Sequence, residues 1–384
     1  MQRTSVAMLR KANFAFISSR ILHVMGHYKV FDQMENGPRT ALEIAAALNL
    51  REENLYRMLA VLANDEILQM MNPSVAEEPE GEKVSKQLSF ADQVKTTQFS
   101  LNNVSRLLLS SHPHSQQAFS SLLCTSFMWN VFGQIEKGII KEADSAQTDI
   151  FQEIYKEHFF AYLQKDPRVM QVFNDGITSY TSIDDETVVK LLSFPKMNEE
   201  ETATIDNYHI HCDVAGGAGQ FLYEILKHNP SVKGINLEFA AAIQDSEALC
   251  AKPFGNRYQG VVGDAFIAIP PAHSYSMKYL LHALPNEKAV EVLSNCRKAM
   301  LRQHPFAKEG AHEETQYIYV IDCVLPNEPD GSNKYAMDIL MMALPGSRER
   351  NLHDFRCLGE QAGLTFMEKR DAPNLILSVL VFRP

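Results

Sequence analysis

The sequence predicts an α/β fold, a doubly wound and largely parallel sheet in the C-terminal half preceded by a mainly helical N-terminal region. Three observations carry this. After Asn207, short β-rich runs alternate with helical ones, the order that builds a parallel sheet with helices on both faces. Before it, apolar residues recur at three- and four-residue steps, the period of helices with one buried stripe. The first β-rich run also ends in a glycine-rich turn, Asp213-Val214-Ala215-Gly216-Gly217-Ala218-Gly219, that opens a helical stretch.

At 384 residues the chain exceeds the usual size of one domain, so two domains, or one large domain carrying a smaller helical one, are expected. Apolar residues make up 45% and charged residues 22%, the proportions of a globular protein with a sizeable core. The net charge of -11 is spread along the chain without a Lys/Arg block, which argues against nucleic acid or anionic lipid as the dominant partner. The six cysteines, Cys124, Cys212, Cys250, Cys296, Cys323 and Cys357, form no C-x-x-C pair and read as reduced thiols. With no signal-peptide pattern at the N-terminus and no uninterrupted apolar run of about 18 to 20 residues, a cytoplasmic location is expected.

Element by element, Asn13 to Met34 reads as a helix whose stripe is Phe14, Ile17, Ile21, Leu22 and Met25. Thr40 with Glu43 has the spacing of a capping box opening Ala41 to Leu48, and Leu55, Met58, Leu59 and Leu62 mark the inner face of the next helix. Such a helix-turn-helix could read DNA, yet its second helix carries Arg51, Glu52, Glu53 and Arg57 together and is not basic. Residues 72–96 read as a polar loop, residues 100–195 as helical again, and Asn198 to Asp206 as a second polar stretch. The β-rich runs follow: Tyr208 to Val214, Val232 to Glu238, Tyr258 to Val262, Tyr275 to Leu281 and Tyr317 to Leu325. Phe366 to Arg370 and Leu375 to Phe382 form a closing pair, antiparallel because a short turn joins them.

A glycine-rich turn between strand and helix lets backbone approach a nucleotide-like ligand closely at the mouth of an open α/β sheet, although tight turns hold glycines for purely local reasons too. Glu238 favours the ligand reading: it ends the second strand, 19 residues after Gly219, where an acid can accept hydrogen bonds from both ribose hydroxyls. The third strand runs out in Gly263-Asp264-Ala265-Phe266, adding a carboxylate and a ring at the same sheet edge.

These residues are part of a longer ordered pattern. It runs from the helix-turn-helix of residues 36–70 through the 213–219 and 263–266 turns to Leu280-Leu281-His282-Ala283-Leu284-Pro285-Asn286-Glu287. Asp322-Cys323-Val324-Leu325-Pro326, Met337-Asp338-Ile339-Leu340-Met341 and Gly346-Ser347-Arg348-Glu349-Arg350 complete it. Over nearly its whole length the chain resembles the class I S-adenosylmethionine-dependent O-methyltransferases of the caffeic acid and N-acetylserotonin type. The resemblance implies a winged-helix-like dimerisation domain over 1–105, a helical linking region lining the substrate pocket over 106–200, and a Rossmann-like domain with a seven-stranded methyltransferase sheet over 201–384.

It further implies S-adenosyl-L-methionine as cofactor. Gly217 and Gly219, in the turn with Asp213 and Ala215, and Glu238 after the second strand would hold its methionine and ribose parts. Asp264, Ala265 and Phe266 would sit by the adenine, and Lys278 would contact the cofactor. His282 falls on the catalytic base, with Asp322 and Glu349 on the two flanking acidic positions. The chemistry wants these types: a phenol with a pKa of roughly 10 is a poor nucleophile until a base takes its proton, and an acid against the other ring nitrogen fixes the tautomer. The implied reaction is methyl transfer to a hydroxyl of a small aromatic molecule by a homodimer, with no metal, nucleic acid or membrane. Taken without the resemblance, His282 reads first as a strand-end histidine capping the helix from Asn286.

Three departures stand out: Ala215 and Ala283 where the family usually has glycine and an acid, and Leu284 where it has tryptophan. They keep two rivals open, a methyltransferase-fold protein with altered chemistry (C- or N-methylation, or cofactor bound without transfer) and a non-catalytic ligand-sensing regulator. His209, His211 and Asp213 alternate on one strand with metal-ligand spacing, but a central strand ending in a glycine turn argues against a metal. Met128, Met337, Met341 and Met342 suit either a pocket for a flat ring or core packing.

Overall fold

The computed structural model describes residues 2–72, 88–140, 149–195, 208–302 and 316–384, with side chains from Ser5 onward. They form two compact units, Met1–Gly133 with Leu163–Thr181, and Gln134–Tyr162 with Ser182–Pro384. The 106–200 stretch is therefore divided between the units.

In the first unit, α1 (Gln2–His27) begins earlier than its apolar stripe suggests and ends before Phe31, where a short 3-10 turn takes over. Only the lower stripe is covered: Met25 is buried and Ile21 and Leu22 pack on the core, while Phe14 is 63% and Phe16 61% exposed. After β1 (Arg39–Thr40), α2 (Ala41–Leu48) starts on the expected capping box, with Thr40 Oγ1 accepting from the Glu43 amide and Glu43 Oε2 accepting from the Thr40 amide. Such a reciprocal cap satisfies two orphan helix donors and stabilises by about 1 kcal/mol. Asn49, at φ +54°, ends the helix because asparagine tolerates the left-handed conformation better than most residues.

In α3 (Glu52–Asn64), Leu55, Leu59 and Leu62 are buried as expected, but Met58 is 37% exposed and Tyr56 takes the inner position. Tyr56 is held there by Gln93 and by edge contacts to Phe90 and Phe99. β2 (Leu68–Met71) and β3 (Gln98–Leu101) complete an antiparallel sheet of order β1-β3-β2. Part of the expected 72–96 loop is helical: Ser89 caps Phe90–Thr96 by accepting from the Asp92 amide. The rest of that loop (73–87), the Asn198–Asp206 stretch and residues 303–315 lie outside the described residues.

The second unit is built on a sheet of β4 (His209–Val214), β5 (Val232–Glu238), β6 (Tyr258–Val262), β7 (Ser274–Lys278), β8 (Ile318–Leu325), β10 (Thr365–Arg370) and β11 (Leu377–Arg383). The order is β10-β11-β8-β7-β4-β5-β6, and β9 (Arg350–Asn351) pairs with the end of β8. β6, β5, β4, β7 and β8 are mutually parallel, and the closing pair is antiparallel as expected. The helices α4 (Gln220–His228), α5 (Ala240–Phe254), α6 (Asn286–Leu301), α7 (Lys334–Ala343) and α8 (Leu352–Gln361) connect the strands. Ile318 and Val320 face a core shared with α6 and α8, while Tyr319 and Ile321 face one shared with α4. The two-residue period of a strand sends alternate side chains to opposite faces, and burial on both sides makes β8 a continuous apolar run interrupted by Asp322. Because the five parallel strands share one direction, their carboxyl ends form a single edge, where an open α/β sheet offers its ligand crevice.

Candidate active site

Four turns meet at that edge. β4 closes with Asp213 and Val214, after which Ala215 (φ +56°), Gly217 (φ +56°) and Gly219 (φ +79°) take left-handed conformations, and Gly219 is the N-cap of α4. The space at Gly216 is fully used by the turn itself: an added Cβ would lie 2.3 Å from Asn236 Oδ1 and 2.5 Å from Asp213 Oδ2. Gly217 has no heavy atom within 4 Å of that position and leaves an open cradle. Ala215 is thus a backbone departure as well as an added methyl, since a non-glycine residue in this region costs about 1 kcal/mol or more.

Asp213 is fully buried. Its Oδ1 accepts from the Ser276 hydroxyl, and its Oδ2 has no hydrogen-bond partner among the described residues. Burial pushes its carboxyl up to about 7, against the lowering influence of Ser276 and Lys278. Asn236, the neighbour of Asp213 on β5, donates to the Gly217 carbonyl and Ser246, bracing the turn from below. Glu238 ends β5, and its Oε1 accepts from the Phe239 amide. After β6, Asp264 Oδ1 accepts from the Phe266 amide, and Asn295 holds the Ala265 and Phe266 carbonyls. An apolar slot of about 390 Å³ lies there, lined by Leu237, Val261, Asp264, Ile267 and Pro270. Lys278 ends β7, pairs with buried Asp185 and lies 5.0 Å from the Phe221 ring centre.

The β7 strand stops at Lys278, three residues short of its expected end, because Tyr279 adopts φ +54° and the chain turns into a 3-10 helix, Leu281–Ala283. That turn aims His282 at the end of β8. Its Nδ1 lies 3.0 Å from Glu349 Oε1 and 3.4 Å from Asp322 Oδ1, and its backbone N–H donates to Asp322 Oδ2 at 3.2 Å. His282 caps no helix: α6 starts at Asn286 without a side-chain cap. Burial lowers the basicity of this imidazole, but Asp322 and Glu349 together outweigh it and leave it raised. Burial likewise pushes the Asp322 carboxyl up, with His282 opposing. The ring is 8% exposed, and Nε2 makes no hydrogen bond among the described residues. With two acceptors on the Nδ1 side, the proton sits there and Nε2 is left as the basic nitrogen.

Sequence reasoning named the three residues of this cluster but missed what holds them. Arg350, 2% exposed, donates to the Leu281 and Leu284 carbonyls and to Asn286 Oδ1, clamping the turn on both sides of His282. Asp338 accepts from the Glu349 amide. Asn236, Ser276 and Asp185 were also missed; for Asn236 and Ser276 the signal was a polar residue inside an otherwise buried strand. A cavity of about 1410 Å³ opens beside the turn, lined among others by Ala283, Leu284, Asp338, Met342 and Arg348. Met342 therefore faces a cavity, whereas Met128 is buried core in the first unit. The alternate positions of β4 are occupied by hydrogen bonding: His209 and His211 bond the Ser274 and Ser276 hydroxyls.

A parallel sheet with a glycine cradle after its first strand and a buried acid-histidine cluster at its fourth and fifth defines an open α/β protein with a ligand crevice and a general-base candidate at one sheet edge. The comparisons narrow this. Residues 136–365 match the O-methyltransferase domain family and residues 11–111 the O-methyltransferase dimerisation domain, so the chain belongs to the O-methyltransferase family. It is 29% identical over 227 residues to a caffeic acid 3-O-methyltransferase of Ammi majus, a match covering 57% of this chain and 54% of that protein, about half its length. It is 24% identical over 350 residues to O-methyltransferase 12 of Dictyostelium discoideum, covering 90% and 81%. Two solved structures share the fold. One is a methyltransferase of calicheamicin biosynthesis in SAH-bound form (TM-score 0.78, 22% identity, 100% and 99% covered). The other is human N-acetylserotonin methyltransferase with SAM (TM-score 0.73, 17% identity, 99% and 97% covered).

Proposed function

We propose that this protein transfers the methyl group of S-adenosyl-L-methionine to a hydroxyl of a small aromatic molecule, with His282 as general base. The observation that carries it is the buried imidazole held through Nδ1 by two carboxylates at 3.0 and 3.4 Å, with Nε2 left as acceptor.

The turn fits the cofactor on its own features. Gly216 admits no side chain, Gly217 opens a cradle, and the buried oxygens Asp213 Oδ2 and Asn236 Oδ1 have no hydrogen-bond partner among the described residues. When bound, the cofactor supplies a sulfonium-activated methyl group. Asp213, Ala215, Gly217 and Gly219 would hold its amino-acid end, Glu238 the ribose, and Asp264, which lines the slot, together with Ala265 and Phe266 the adenine, with Lys278 contacting the cofactor. His282 Nε2 takes the acceptor's hydroxyl proton, and the imidazolium so formed is stabilised by Asp322 and Glu349, while Arg350 holds the turn that carries His282 and Asp338 accepts from the Glu349 amide. The whole-chain reading also includes a homodimer, formed through the uncovered stripe of α1. The family's dimerisation domain and the exposure of Phe14 and Phe16 support it. Among the described residues no helix is long and apolar enough to cross a membrane.

The test is incubation with methyl-labelled S-adenosylmethionine and a panel of phenols. The wild type is expected to label at least one phenol, and His282→Ala to lose turnover while binding S-adenosylhomocysteine normally. Transfer undiminished in His282→Ala would overturn the general-base assignment, and labelling of carbon or nitrogen alone would favour altered chemistry.

A further inference from the structure

Beneath the glycine turn, five buried side chains of β4 and β7 form one hydrogen-bonded ladder. His209 Nε2 lies 2.7 Å from Ser274 Oγ, His211 Nδ1 lies 2.8 Å from the same hydroxyl, His211 Nε2 lies 2.8 Å from Ser276 Oγ, and Ser276 donates to Asp213 Oδ1. All five are below 2% exposed. The ladder has one self-consistent polarity. Because Ser276 gives its only proton to Asp213, it must accept from His211 Nε2–H; a neutral His211 then accepts at Nδ1 from Ser274, which accepts from His209 Nε2–H. Burial pushes His211 down to about 3, so it is neutral at any working pH.

The other oxygen of Asp213 faces a different situation. Asp213 Oδ2 and Asn236 Oδ1 both lie within 2.5 Å of the point where a Gly216 Cβ would sit, and neither has a hydrogen-bond partner among the described residues. Two buried acceptors facing one another are unfavourable until a proton or a donor enters between them. Asn236 cannot turn its amide around, because its Nδ2 is committed to the Gly217 carbonyl and to Ser246.

We infer that the His209–Ser274–His211–Ser276 ladder is a positioning device that fixes a donor on Asp213 Oδ1 and reserves Oδ2 as a proton slot shared with Asn236, so that cofactor binding at the glycine turn displaces a proton. The inference rests on the proposed cofactor site. S-adenosylmethionine and S-adenosylhomocysteine both carry an ammonium, which favours an ionised Asp213; without it the oxygen pair is satisfied by holding the proton. The charged groups bearing on Asp213 are Lys278 on β7, Glu238 on β5 and Asp185 of the 185–189 helix, with the Cys250 thiol on α5. The two acids favour the protonated form and the lysine opposes it.

The sign follows. The free protein holds the proton below the Asp213 value of about 7 and the complex does not, so affinity is full at pH 8 and falls on acidification. The fall is on the order of 30-fold by pH 5.5, at one decade per pH unit. The experiment is calorimetric titration of the full-length protein with S-adenosylhomocysteine at pH 5.5 to 8.5, in buffers of different ionisation enthalpy. The wild type is expected to release about half a proton at pH 7, where group and solution are matched. Asp213→Asn is expected to release none. His211→Leu is expected to move the inflection to higher pH by about half a unit or more, because the donor chain that favours the carboxylate is cut, and His211→Gln, which keeps a donor toward Ser276, to restore it.

Nitrogen-15 spectra of the wild type give a second readout that needs no variant: His211 should be a neutral Nε2–H tautomer throughout, and His209 should carry a proton at Nε2. Binding without proton exchange, or an Nδ1–H tautomer at His211, overturns the inference while leaving the cofactor site standing. Absence of S-adenosylhomocysteine binding at every pH overturns the cofactor site and the inference with it.

Discussion

Replacing Glu349 by glutamine tests the His282 cluster most directly, because the change keeps the shape and an acceptor oxygen at the 3.0 Å position and removes only the charge. Burial lowers the basicity of the His282 ring, and two carboxylates reverse that. A hydrogen bond to a charged group contributes about 1.5–3 kcal/mol, and one pKa unit corresponds to about 1.4 kcal/mol. Glu349→Gln should therefore lower the basicity of His282, leaving Asp322 as the acid opposing burial. A weaker base at the same distance should reduce kcat on the order of tenfold to a hundredfold, with binding of S-adenosylhomocysteine unchanged. The assay is proton-carbon NMR of the His282 ring over pH 4–9 in both proteins, which requires no knowledge of the acceptor. A variant ring titrating within about 0.3 units of the wild type would refute the claim that Glu349 sets the charge state of His282.

The remaining expectations concern the turns. Asp213→Asn should stabilise the free protein, and more at pH 8 than at pH 5: a carboxyl whose folded value is about 7 binds more protons folded than unfolded, so stability falls as pH rises from about 4 to 7; melting curves at the two pH values check this. Arg350→Met should cost about 2–4 kcal/mol and lower kcat along with stability, since the Leu281 and Leu284 carbonyls lose their buried donor; urea melts read the first effect and turnover the second. Ala215→Gly should stabilise by up to about 1 kcal/mol by relieving the left-handed alanine, and thermal melts that show a loss would contradict the strain. Gly216→Ala should abolish S-adenosylhomocysteine binding in a titration, because its methyl would enter the space of Asn236 Oδ1 and Asp213 Oδ2.

Features written by local rules were legible in the amino-acid sequence alone. The strand-helix alternation after Asn207, the glycine turn, the capping box at Thr40 and the antiparallel closing pair depend on periods, spacings and turn chemistry within a few residues of chain. Failures came where the neighbour was distant. Met58 has the right phase for the inner face of α3, but Tyr56 wins the place through partners at residues 90, 93 and 99. The β-rich run 275–281 stops at Lys278 because Tyr279 takes a left-handed conformation, and the turn that follows is held by Arg350 from far along the chain. Phe14 looks like core by period and remains exposed because nothing among the described residues covers it.

The same division applies to the site. Sequence alone determined which chemical groups end the strands: a carboxylate on β4 and β5, a lysine and a histidine after β7, and an acid within β8. Their ionisation was decided only by the tertiary structure, because burial and a charge at 3 Å change with every neighbour. Asp213 is raised because the sheet removes its solvent, and His282 is raised because two acids from distant segments converge on one nitrogen. The polar ladder from His209 to Asp213 shows this most fully: on paper it is three spaced residues with the look of a metal site, and only the pairing of β4 with β7 brings Ser274 and Ser276 between them.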